Sequence, residues 1–144
     1  MSFLVDTNVV SEWTKPRPST RVIGWLAEVD EDGVFLSVVT IAELRYGIER
    51  LAAGRRRERL EEWLRHELPG RFEGRLLPID SAVAEAWGTI VGQRERAGRP
   101  IGTVDAFLAA TANVHDLTLV TRNADDFRAS VKTVLDPWAS GSSA

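Results

Sequence analysis

Short apolar runs alternate along the chain with segments whose apolar residues recur every three or four positions, the pattern of strands alternating with helices. The first run, residues 3–5, reads as a buried strand that stops at Asp6. Residues 7–13 then turn into a short helix before Pro16 and Pro18 break the chain, and a second helix starts near Ser19 or Thr20. The loop 30–33 leads into a strand over 34–38. Thr40 opens a helix whose Ile41, Leu44, Ile48 and Leu51 share one face. Residues 55–68 repeat that spacing with Leu60, Trp63 and Leu64 until Pro69 and Gly70 stop it, so a helical hairpin is expected. A third strand follows over 76–79, a helix over 81–97, a loop over 98–102 and an alanine-rich helix over 103–115. A fourth strand over 117–120 ends in Thr121-Arg122-Asn123, a short helix follows, and residues 133–135 supply a fifth strand.

This alternation predicts an α/β fold with a central, mostly parallel sheet flanked by helices. At 144 residues and 44% hydrophobic content the chain makes one domain, 1–139, followed by a flexible polar tail, 140–144. The absence of cysteine excludes disulfides, zinc–thiolate sites and thiol catalysis. No signal peptide and no membrane span are read, which makes a cytoplasmic protein the expectation. The net charge of −3 argues against a nucleic-acid enzyme only weakly, because four acids given to a cation leave −3 + 4 = +1. Arg55, Arg56 and Arg57 form a basic run that reads either as a phosphate contact or as a solvated helix face.

Acids recur at equivalent places: Asp6 ends a strand, and Glu43, Asp105 and Asp126 each fall in an expected first helical turn. Taken singly, each has an ordinary explanation. Thr40 and Glu43 fit a capping box, Asp105 and Asp126 complement a helix dipole, and Asp6 is a helix cap. Taken together, they converge, because a parallel sheet gathers strand ends and helix starts on one edge. Carboxylates crowded there repel one another unless a cation fills the gap, and oxygen-only ligands favour Mg²⁺ or Mn²⁺. The natural work of such an ion is at a phosphate. Other chemistries lack parts: His66 and His115 have no nucleophile beside them in sequence context, and no glycine-rich phosphate loop follows a strand.

Four stretches, FLVDTNVVSE, TIAELRYGIERL, PIGTVDAFLAATA and LVTRNADDF, occur in an order that resembles the VapC-type PIN domains, and the closing VLDPW resembles the FitB-like subgroup. The resemblance implies a PIN fold, Mg²⁺- or Mn²⁺-dependent cleavage of RNA, homodimers, and inhibition by a cognate antitoxin, with larger toxin–antitoxin complexes as a further option. It assigns the metal-holding acids to Asp6, Glu43, Asp105 and Asp126, with Asp125 as a competitor for the last place. Thr7, Asn8, Thr121 and Asn123 resemble the polar residues that orient ligands around such sites, or they cap local turns; Arg122 is a phosphate contact or a surface residue. The five tryptophans, Trp13, Trp25, Trp63, Trp87 and Trp138, are read as core or interface rather than as base-stacking platforms. Trp25, Trp63 and the 44–51 stripe are candidates for an antitoxin groove.

Three rivals stand beside this reading. A haloacid-dehalogenase-type phosphatase needs an aspartate two residues after the first, where this chain has Asn8. A metal-dependent DNA or flap-type nuclease shares the acid cluster. A catalytically silent PIN-like binding module would not need all four acids.

Overall fold

A computed structural model describes residues 1–139; the expected flexible tail, 140–144, lies outside the described residues. Five short strands, β1 (Phe3–Val5), β2 (Val34–Ser37), β3 (Leu76–Leu77), β4 (Thr118–Val120) and β5 (Val134–Leu135), form one sheet in the order β3-β2-β1-β4-β5. Every neighbouring pair is parallel, with Leu4 opposite Phe35 on one side and Leu119 on the other. The predicted α/β class is therefore the observed one.

Because successive strand residues face opposite sides, β1 and β4 feed two separate cores. Val5 and Val120 pack with α1 (Thr7–Val10), α2 (Thr20–Glu28), α3 (Val38–Glu49), α4 (Arg55–Glu62) and α5 (Leu68–Arg71) through Val9, Leu26, Ile48 and Leu68. Leu4 and Leu119 pack on the other face with α6 (Ser81–Arg96), α7 (Thr103–Val114) and α8 (Ala124–Phe127) through Val83, Leu108 and Phe127. The alanines at 109, 110 and 112 are buried in this second core, so α7 lies close against the sheet. All five tryptophans pack partly buried against one core or the other, Trp87 stacking on Phe107 at 5.3 Å. That agrees with the core reading.

Several boundaries differ from expectation for identifiable reasons. The helix after β2 begins at Val38 rather than at Thr40, because Ser37 Oγ accepts from the Val39 amide and so supplies the cap. Thr40 is buried inside α3 and the expected capping box does not form. The 7–13 helix narrows to a 3₁₀ turn over Ser11–Thr14, since Lys15 precedes Pro16 and takes an extended conformation. β3 has two residues because Pro78 has no amide to donate. Pro69 and Gly70 do not stop the fourth helix: a wide π-type turn at Trp63–Glu67, in which the Leu68 amide reaches back to the Trp63 carbonyl, carries the chain through into α5. The wider turn moves carbonyls clear of the Pro69 ring, which an α-helix would not.

Candidate active site

The chain runs outward from β1 through β2 to β3 and then returns to place β4 on the other side of β1. Strand order thus reverses between β1 and β4, and a crevice opens at their carboxyl ends. Asp6 is the first residue past β1 and Thr121 the first past β4. Across this switch point Thr121 Oγ1 donates to Asp6 Oδ2 at 2.7 Å, and the Asp6 amide donates to the Val120 carbonyl at 2.9 Å. The Asn123 amide donates to Thr121 Oγ1 at 3.1 Å, so the single hydroxyl hydrogen of Thr121 is directed at Asp6. Asp6 Oδ1 accepts from the Thr7 amide at 2.6 Å. Asp6 is therefore both a helix cap, as its ordinary explanation had it, and a member of the crevice.

Glu43 sits in the second turn of α3, not the first. Thr7 Oγ1 donates to Glu43 Oε1 at 2.5 Å and lies 3.4 Å from Thr40 Oγ1. Thr40 is the site residue that sequence reading assigned only to capping; its place three residues before Glu43 on one helix face is the signal that would have found it. Asp105 lies in the first turn of α7, where Gly102 is the cap and makes no side-chain bond.

The electrostatics join all four acids. Burial pushes the Asp6 carboxyl up to about 6; the Thr121 and Thr7 bonds oppose this, and the charges of Asp105 and Glu43 add to it. Asp105 is also raised, by burial first and then by Glu43 and Asp126. Among the described residues neither group forms an ion pair with a lysine or arginine, and no basic residue is among the causes that raise or lower them. Asp125 points elsewhere: its side chain is 96% exposed and pairs with Arg128 at 3.1 Å. Asn8 Oδ1 accepts from the Arg122 amide at 3.4 Å, tying α1 to the loop after β4. His66 and His115 lie outside the crevice, His66 facing Glu62 at 3.6 Å and His115 ending α7. A larger cleft of about 750 Å³ lies at the amino end of β4, lined by Asn113, Ser130 and Lys132, and contains none of these acids.

Among the described residues no three acidic or histidine side chains stand ready-made around an ion. The donor set nevertheless fits a hard cation. Oxygen-only ligands from carboxylates whose charges act on one another suit a hard divalent cation that keeps part of its water shell.

Residues 3–131 match the PIN domain family. The toxin FitB of Neisseria gonorrhoeae is 39% identical over 94% of this chain and 97% of its own length. The VapC ribonuclease Y4jK of Sinorhizobium fredii is 33% identical over 94% and 96%. Among solved structures, FitAB bound to an IR36 DNA fragment superposes with a TM-score of 0.89 at 36% identity, covering 95% of this chain and 96% of that one. Nucleases of this kind are metal-dependent, in keeping with the unpaired acids. Similarity that runs through both cores and across the β1–β4 crevice, rather than through an isolated motif, means that this chain belongs to the PIN domain family, alongside FitB and the VapC proteins.

Proposed function

We propose that the chain is a metal-dependent endoribonuclease, the toxin of a toxin–antitoxin pair, in which Asp6, Glu43, Asp105 and Asp126 hold Mg²⁺ or Mn²⁺ and water cleaves an RNA phosphodiester. The observation that carries this is the group of carboxylates at the sheet switch point, where the charges of Asp105 and Glu43 act on Asp6 and those of Glu43 and Asp126 act on Asp105, with no ion pair to Asp6 or Asp105 among the described residues. Such an ion supplies positive charge to a phosphate oxygen and acidity to water. The chain's own residues fix the ligands: Thr121 orients Asp6, and Thr7 orients Glu43. Asp126 rather than Asp125 completes the set, because Asp126 is the one that acts on Asp105. RNA is favoured over DNA by the ribonuclease relative from Sinorhizobium fredii.

The partners of this reading are a cognate antitoxin and a second copy of the chain, within the cytoplasm; no described helix is long and apolar enough to cross a membrane. The apolar stripe expected to meet the antitoxin divides. Ile48 is buried and Leu44 packs on the core, whereas Leu60 and Trp63 also line a cleft of about 190 Å³ with Trp13 and Arg59. That cleft is the part of the stripe left for a partner.

Purified protein incubated with matched RNA and DNA oligonucleotides tests the proposal. Cleavage of RNA alone, restored by Mn²⁺ after chelation, is expected. Equal cleavage of DNA moves the protein to the general-nuclease reading, and no cleavage with either metal leaves the silent-module reading.

A further inference from the structure

The VLDPW stretch has no part in the acid cluster, yet it returns beside it. We infer that Arg122, seated on the indole of Trp138, binds a backbone phosphate of the RNA next to the acid cluster, and that Trp138 is the residue that positions it. This rests on the ribonuclease reading above and adds to it the means by which a polyanion is held against an acidic crevice.

Arg122 lies between Thr121 and Asn123, both engaged in the hydrogen bonds that orient Asp6, so its backbone position is set by the site itself. Its guanidinium carbon stands 5.2 Å from the centre of the Trp138 ring. Trp138 is partly buried and packs against the core of Val5 and Val120. The turn that brings it there is closed by Asp136, whose Oδ1 accepts from the Trp138 amide at 2.8 Å. The Thr121 amide donates to the Leu135 carbonyl at 2.9 Å, which ties the segment carrying the arginine to the one carrying the indole.

The guanidinium is otherwise uncommitted. Among the described residues it makes no hydrogen bond and no ion pair within 4.0 Å, whereas Arg128 is taken by Asp125, and Arg94 by Ser130 and the Arg99 and Asp126 carbonyls. The buried carboxylate of Glu12 attracts Arg122 but has its own partners, Lys15 at 2.5 Å and the Ser19 amide at 2.8 Å. Arg122 therefore keeps its donors for a ligand. It lines a cleft of about 250 Å³ with Asn123, Arg128 and the carboxylates Asp125, Asp126 and Asp136, so a phosphate bound to Arg122 there lies beside Asp126, one of the four acids, and is held by the guanidinium against neighbouring acidic side chains. A nucleic acid approaching those acids meets repulsion, and a fixed cation at their edge offsets it. A cation–π contact with an indole holds the guanidinium without using its hydrogen-bond donors, and the planar fork those donors form is one a lysine at this position would not reproduce. The opposing explanation is that Arg122 merely covers the indole from water.

The two accounts separate in RNA binding. Affinity for a fluorescein-labelled single-stranded RNA is read by anisotropy in EDTA, where nothing is cut, across a salt series, beside KM and kcat for Mn²⁺-dependent cleavage. Arg122→Ala is expected to weaken binding roughly fivefold or more and to flatten the salt slope by about 0.7, the loss of one single-strand phosphate contact. KM rises more than kcat falls, and Mn²⁺ affinity by calorimetry stays unchanged. Trp138→Met, which keeps bulk against the core without an aromatic face, should weaken RNA binding in the same direction, add little on top of Arg122→Ala, and be rescued by Trp138→Phe. Unchanged affinity and salt slope in a folded Arg122→Ala, with wild-type cleavage intact, overturns the inference and leaves the ribonuclease reading standing. A Trp138→Met protein that melts earlier but binds RNA as the wild type does overturns the positioning role. Wild-type protein that neither binds nor cuts RNA overturns both the reading and the inference.

Discussion

The crevice between β1 and β4 and the helical arm α3–α4 use the same acidic side chains in opposite ways. In the arm, Glu49 and Glu61 stand among arginines: Arg45 lies 2.5 Å from Glu49, and Arg57 lies 3.1 Å from Glu49 and 2.8 Å from Glu61. The Arg45 hydrogen bond and charge hold Glu49 below the ordinary glutamate range, and the Arg57 hydrogen bond does so for Glu61. In the crevice Asp6 and Asp105 are raised instead, by burial and by one another's neighbours. Arm charges are satisfied within the fold, so they contribute to its shape; crevice charges are left to be satisfied by something that binds. Charge content alone does not separate the two regions, and neither does the net charge of −3.

The strongest attack on this contrast is to remove a crevice acid. Asp6→Asn, Glu43→Gln and Asp105→Asn are each expected to cut RNA cleavage by more than the roughly 10–100-fold typical of outer partners of a metal site, while circular dichroism stays native. Glu49→Gln in the arm should cleave at the wild-type rate. A folded crevice variant with full activity removes that acid from the set.

Next in size are the hydroxyls. Thr121→Val keeps the shape of a buried residue but strips Asp6 of its 2.7 Å bond, and a loss of roughly 10–100-fold in activity or Mn²⁺ affinity is expected. Kinetics and calorimetry together read it; an undiminished Mn²⁺ affinity and rate would make that bond purely structural.

Trp63→Ala probes the boundary of the arm. Full membership of the core predicts a loss of about 3 to 5 kcal/mol in urea unfolding. Because Trp63 is only partly buried and lines the cleft with Leu60, a smaller loss accompanied by weaker antitoxin binding is expected.

The pH dependence of the metal-free protein follows from Asp6. Its folded-state pKa is raised from 3.8 to about 6, so the protonated folded form is preferred. The resulting stability is fully present below pH 3.8 and is lost as pH rises through 6, on the order of 3 kcal/mol, with Asp105 acting in the same direction. Millimolar Mn²⁺ should recover that loss above pH 6, where the carboxylates are charged, and do little near pH 4.5. Unfolding midpoints across this range, with and without metal, check it; a flat metal effect counts against the site.

The smallest effect belongs to the arm. Arg57→Met should lower the thermal midpoint slightly, by an amount that fades with added salt, and leave cleavage unchanged.

Sequence pattern carried the sheet and most of the helices because strand and helix periods differ and each run here is bounded by a cap, a proline or a glycine. It singled out Asp6, Glu43 and Asp105 through their neighbours in the motifs, but what brings their charges to act on one another is the reversal of strand order, which no local window contains. Sequence favours Asp126 over the adjacent Asp125 by its place in the TRNxxDF pattern alone; in the fold Asp125 pairs with Arg128, whereas the charge of Asp126 is felt by Asp105. Thr40 was misread because Ser37, three residues earlier, competes for the same capping role and wins. Trp138 carried no local sign of its relation to Arg122, since that pair is made by β5 closing the sheet.

The wide turn at Trp63–Glu67 also constrains how the arm can change in length. Such a turn holds one residue more than an α-helix needs, so a single deletion inside it can be absorbed without rotating Leu60 relative to Leu68 and Phe72, both of which are anchored in the core. Elsewhere in α4 the same deletion would swing those side chains by about 100° about the axis. Tolerance at the turn is conditional, because with the extra residue gone the Pro69 ring faces the carbonyl four positions before it. Shortening and the loss of that proline are thus linked, and a library of one-residue deletions across 55–71 should recover viable chains at 63–67 chiefly when position 69 is free to vary.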